Sequence, residues 1–182
     1  IDWSDKIVSP INSSLGKKTV YYQEKVNALY VEAVTYILLH ETGHCVYEHI
    51  ATKKTTDDEK RAWEVEADNF ALDLLIRGSE DDIRNNAFGC FIAFTSMLFM
   101  GKISKKIYDP EHPAIHDRFN RVIEKFKTQS TDETAIDYLY HFACQVMIVF
   151  LKQKGVNITN FESDDIEKYY NNLLERLDEF IL

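Results

Sequence analysis

Cysteine is scarce: three in 182 residues, at Cys45, Cys90 and Cys144, far apart and with no CxxC. A disulfide framework is excluded, and a reducing, cytoplasmic setting is the expectation. The same scarcity argues against a structural zinc site, because such sites are closed and rich in cysteine. Proline and glycine are also few, three and six, and no low-complexity tract or linker breaks the chain. Positive charge is short as well, with 21 Lys and Arg against 30 Asp and Glu and a net charge of -9. Nucleic-acid binding is excluded, since holding phosphates needs clustered cations. The longest apolar run, Ala87 to Met100, is shorter than the roughly 20 residues that span a bilayer, so no membrane span is expected. The chain begins at Ile1 and reads as a trimmed piece, so a targeting signal is not judged from it.

What is present is apolar and helical. Hydrophobic residues make up 45% and aromatics 13%, a globular composition. Residues 1–182 read as one mainly α, single-domain, zincin-like unit of about six helices. The chemistry-bearing part is 22–127, and 128–182 is a helical tail. Residues 1–18 read as loop, and "KKTVYY" at 17–22 is the best strand candidate, so a short strand or hairpin is expected near the N-terminus. A central helix is predicted from about Tyr22 to Ala51. "TDDE" at 56–59 is a capping box for a second helix, which Gly78 ends. Ser79 with Asp82 caps a third helix that closes at Gly101. Pro113 suits the first turn of a fourth, to about Lys127. "STDE" at 130–133 caps a fifth, ending near Gly155, and a sixth comes after Ser163 and runs to about Phe180.

The central helix carries "HETGH" at 40–44 inside a greasy stretch. His40 and His44 are i and i+4, so they project from one face and can grip one Zn²⁺. Glu41 is then placed as general base on the water that the metal activates. Five residues recur by chance, so remote partners must decide. A catalytic zinc needs a third protein ligand, and "WEVEAD" at 63–68 offers two glutamates. At 100° per residue, Glu64 shares a face with Asp68, Ala71 and Leu75, which is apolar and core-facing. Glu66 falls opposite, beside Asp73 and Arg77. Glu64 is therefore the expected ligand and Glu66 a solvated residue. Asp68, one turn on from Glu64, is placed to take the second N–H of a ligating histidine. Cys45 points about 100° away from His44 and is expected in the core. His49, at 180° from His40, is expected to face away from the metal. His116 lacks support for a role, and His141 reads as structural.

HETGH followed by E-x-x-A-D resembles the gluzincin clan of zinc metallopeptidases, and within it the CAAX prenyl protease and HtpX group. Those families carry a later His-Pro followed by Arg, and "HPAIHDR" at 112–118 matches in the same order. Their membrane helices are absent. Size and helical tail look like the soluble Lit-type phage-exclusion peptidases. The "EVEADNFALDLL" segment also resembles ImmA/IrrE-type regulator-cleaving peptidases, which tend to have Asn where Asp68 stands. The resemblance implies that His112 supports the oxyanion or the substrate and that Arg118 pairs with Asp68. It implies a zinc-dependent endopeptidase cutting an intracellular protein, with an activating protein partner as a further expectation. An extended substrate strand lying along an edge strand is the expected binding mode. The competing reading is a catalytically idle zinc-binding interaction module.

Overall fold

A computed structural model of the chain describes residues 13–100, 111–156 and 165–181. Six helices make up the described residues: α1 Ser13–Val46, α2 Asp57–Leu75, α3 Glu80–Met100, α4 Ile115–Gln129, α5 Glu133–Gln153 and α6 Ile166–Ile181. The mainly α expectation holds. No strand occurs among the described residues, and 17–22 is helix. The β preference of Val20, Tyr21 and Tyr22 is worth only tenths of a kcal/mol each, and extending an established helix requires no new nucleus. Without a strand there, the expected edge-strand binding mode has no platform among the described residues. The loop expected over residues 1–18 gives way to helix from Ser13 on, and residues 1–12 and the cap expected at Ser163 lie outside the described residues.

Side chains start most helices as their chemistry dictates. Thr56 Oγ1 accepts from the Glu59 amide at 3.2 Å, and Glu59 Oε2 accepts from the Thr56 amide at 2.8 Å. This reciprocal box stabilises the start of α2 by about 1 kcal/mol. Ser79 and Asp82 form the same box ahead of α3, after Gly78 turns the chain at φ 109°. Asp132 caps α5 through the Ala135 amide, and Asp165 accepts from the Lys168 amide at the start of α6. Pro113 precedes α4 rather than entering its first turn.

One continuous apolar core joins all six helices. Phe91 of α3 stacks on Phe119 of α4 at 4.7 Å, and Tyr36 of α1 meets Phe94 edge-on at 4.9 Å. Ala87 to Phe94 is core, as the apolar run suggested. α5 is long and apolar enough by composition to cross a membrane. Here Leu139, Ala143, Met147 and Leu151 are buried, and α5 packs on α3, α4 and α6.

The C-terminal half of α1 lies between α2 and α3, and two glycines allow the approach. A Cβ on Gly43 would stand 3.0 Å from the Ala67 Cα of α2. One on Gly89 of α3 would overlap Glu32 Cβ of α1. Gly43 belongs to HETGH itself, so the motif is also a packing surface.

Candidate metal centre

His40 and His44 leave α1 one turn apart, toward the stretch of α2 that Gly43 brings close. His40 Nε2 and His44 Nε2 are 3.1 Å apart. Glu64 of α2 closes the group, with Oε2 3.3 Å from His40 Nε2 and Oε1 3.2 Å from His44 Nε2. Ligands tetrahedrally disposed around an ion at 2.0–2.1 Å stand about 3.3 Å from one another. The three side chains therefore fit one such ion, and their donor set of two imidazoles and a carboxylate suits zinc.

Behind the donors sits a buried polar network. Asp68 is 1% exposed. Its Oδ1 lies 3.0 Å from His40 Nδ1 and accepts from the Tyr36 hydroxyl at 2.5 Å. Its Oδ2 meets Arg118 Nε at 3.0 Å and the Arg121 guanidinium at 3.2 Å. Arg118 also donates to Glu64 Oε2 at 3.0 Å and lies over the Phe94 ring. The expected Arg118–Asp68 pair is present, and Arg118 bridges both carboxylates.

Electrostatics reflect this packing. Burial pushes the His40 imidazole down, but the carboxylates of Asp68 and Glu64 overcome it and hold the group at about 9. Burial raises Glu64, yet the hydrogen bond from His40 and the charges of His112 and Arg118 hold it at about 2. His44 is lowered, first by burial and then by His40 and His49, against the pull of Glu64. Tyr36 is driven far up by burial and by Asp68, so it remains a donor. A metal held by these residues would have to displace a proton from His40.

His112 Nε2 is 3.7 Å from Glu64 Oε1, and its side chain is half exposed. With His44, Glu64, Trp63 and Lys60 it lines a pocket of about 250 Å³ beside the donors. Glu41 is exposed on α1, outside the lining of that pocket. His116 packs near Asp117 at 3.6 Å, and His141 is exposed on α5.

Two expectations fail here. Cys45 is exposed, because neither α2 nor α3 covers that side of α1. His49 does not face away. α1 stops at Val46, and Glu48 takes the left-handed region at φ 55°. The Glu48 amide bonds the Cys45 carbonyl and the His49 amide bonds the His44 carbonyl, a Schellman stop that folds His49 back over His44. His49 Nδ1 then lies 3.0 Å from His44 Nδ1, and its Nε2 3.0 Å from Glu66 Oε2. Glu66 is exposed, as the angular reading required, but it has this partner. A glycine after Val46 would have signalled the stop, and the chain has a glutamate instead.

A family model described as Peptidase U49 matches residues 1–143. No curated protein and no solved structure matches the chain.

Proposed function

Since the chain belongs to the Peptidase U49 family, it is a peptidase, and we propose that it is a zinc-dependent endopeptidase of gluzincin type. The observation that carries this reading is the near-tetrahedral spacing of His40 Nε2, His44 Nε2 and the Glu64 carboxylate. These three residues hold the metal. Zinc at this site supplies Lewis acidity to the scissile carbonyl and to the attacking water.

The protein's own groups do the rest. Glu41, outside the pocket lining but close enough for its charge to act on His44, takes the proton of the attacking water on its carboxylate and returns it to the leaving amine. His112, at the pocket edge, donates from its ring toward the oxygen that gains charge. Asp68 orients His40 through Nδ1, and Arg118 holds the Glu64 carboxylate from behind. The substrate is a protein segment entering the pocket lined by Trp63, Lys60, Glu111 and His112. A cytoplasmic setting is part of the proposal, on the scarcity of cysteine in the sequence. A phage-exclusion role and an activating protein partner complete the proposal, on the Lit-type resemblance.

Glu41→Gln tests the central claim. Metal analysis is expected to find one zinc per chain in both proteins, and a cleavage comparison on whole proteomes to find products only with the unsubstituted protein. Retained cleavage in the variant would remove Glu41 from the reaction. Absence of zinc from both would remove the metal.

A further inference from the structure

We propose that His49, backed by Glu66, is a positioning residue that fixes the proton on His44 and so reserves the His44 Nε2 lone pair for the metal. This rests on the zinc reading above. His44 Nε2 is the atom that faces His40 Nε2 and Glu64. To give a lone pair there, the neutral ring carries its proton on Nδ1. That Nδ1 lies 3.0 Å from His49 Nδ1. Two ring nitrogens at this distance share one proton. With it on His44, His49 Nδ1 is the acceptor, and the His49 proton sits on Nε2. His49 Nε2 lies 3.0 Å from Glu66 Oε2, and an ionised carboxylate only accepts. The direction of both hydrogen bonds is thus set from the far end, by Glu66.

The relay is held rigidly. The His49 side chain is 4% exposed. Its ring stacks on Trp63 at 5.2 Å with planes 8° apart, and on Tyr47 at 5.7 Å. The left-handed turn at Glu48 delivers it to His44. Trp63 and Glu66 are three residues apart on α2, so that helix supplies both the stacking surface and the acceptor. The two glutamates of "EVE" then serve one histidine from opposite sides: Glu64 reaches His44 Nε2, and Glu66 reaches its Nδ1 through His49. His40 has the shorter version of the same arrangement, with Asp68 against Nδ1.

The test measures zinc affinity by chelator competition for the unsubstituted protein, His49→Phe, His49→Gln and Glu66→Gln, together with ¹⁵N-histidine spectra of the zinc-loaded unsubstituted protein. His49→Phe keeps the stack and removes the acceptor, and its affinity is expected to fall roughly 10- to 100-fold. His49→Gln, whose amide oxygen accepts, is expected to recover part of the loss, and Glu66→Gln to show a smaller one. The spectra are expected to place protons on His44 Nδ1 and His49 Nε2. Unchanged affinity in His49→Phe, or a proton on His49 Nδ1, would overturn the relay while leaving the zinc site standing. An unsubstituted protein without zinc would overturn both. Where His49→Phe fails to fold, the spectra decide alone.

Discussion

At the scale of single residues, Arg118 shows how the site is held. It is 4% exposed and lies between Glu64 and Asp68, with Phe94 and the Met97 sulfur against its guanidinium. Two buried carboxyl groups this close need a cation between them. Arg118→Met is expected to cost about 3–5 kcal/mol, the usual penalty for removing one partner of a buried charged cluster. In a chain of this length that lowers the melting temperature of the metal-free protein by roughly 10 °C. Arg118→Lys keeps the charge and loses the fork, so it is expected to fall between. Calorimetry with chelator present checks both, and an unchanged transition in Arg118→Met would mean the cluster contributes no net stability. Glu64, Asp68 and Arg118 were legible in the sequence because angular spacing within a helix is fixed. His49 was not, because its position depends on where α1 stops.

At the scale of elements, most helix starts and stops were readable, and α1 was misread at both ends, beginning at Ser13 rather than Tyr22 and stopping at Val46 rather than Ala51. Thr56, Ser79 and Asp132 announce their helices through side-chain oxygens that a sequence displays directly. The stop at Val46 uses Glu48 in a conformation that glycine ordinarily takes, so nothing in the residue type reveals it. The 17–22 segment misleads for the opposite reason: its β-leaning residues are carried by a helix that the later part of α1 sets. Contact between elements also bears on the site. Gly43→Ala places a methyl against the Ala67 backbone and forces α1 and α2 apart by a few tenths of an ångström. Because His40 and His44 come from one helix and Glu64 from the other, the spacing of the donors widens. Zinc affinity is expected to fall at least tenfold, since ligand geometry tolerates about 0.2 Å, with helicity retained. Chelator competition and circular dichroism check this, and unaltered affinity would show that the donors adjust independently of the helix contact.

At the scale of the whole molecule, the candidate metal site and the apolar core are separate supports. The family match ends at residue 143, inside α5, while the core continues through Met147, Phe150, Leu151, Tyr170 and Leu173. Each such side chain contributes about 1.5–3 kcal/mol on burial, and together they rival the 5–15 kcal/mol that stabilises a typical domain. A chain ended at residue 143 is therefore expected to aggregate or remain unfolded, although every motif is intact. Recovery of a soluble, cooperatively melting product would show that α4 and its neighbours suffice. α1 draws the two supports into one element. Its 34 residues extend about 51 Å, and Val20, Tyr22, Val26 and Tyr30 are all exposed. Burial among its described side chains begins at Ala33, and the histidines come after it. Backbone hydrogen bonds that look alike along this helix thus open with very different free energies. Deuterium is expected to enter the amides before Val31 quickly and those from Tyr36 to His44 slowly, and uniform exchange along α1 would refute that division. A single rod of backbone then has a soft end and a hard end, and His40 and His44 are set in the hard one.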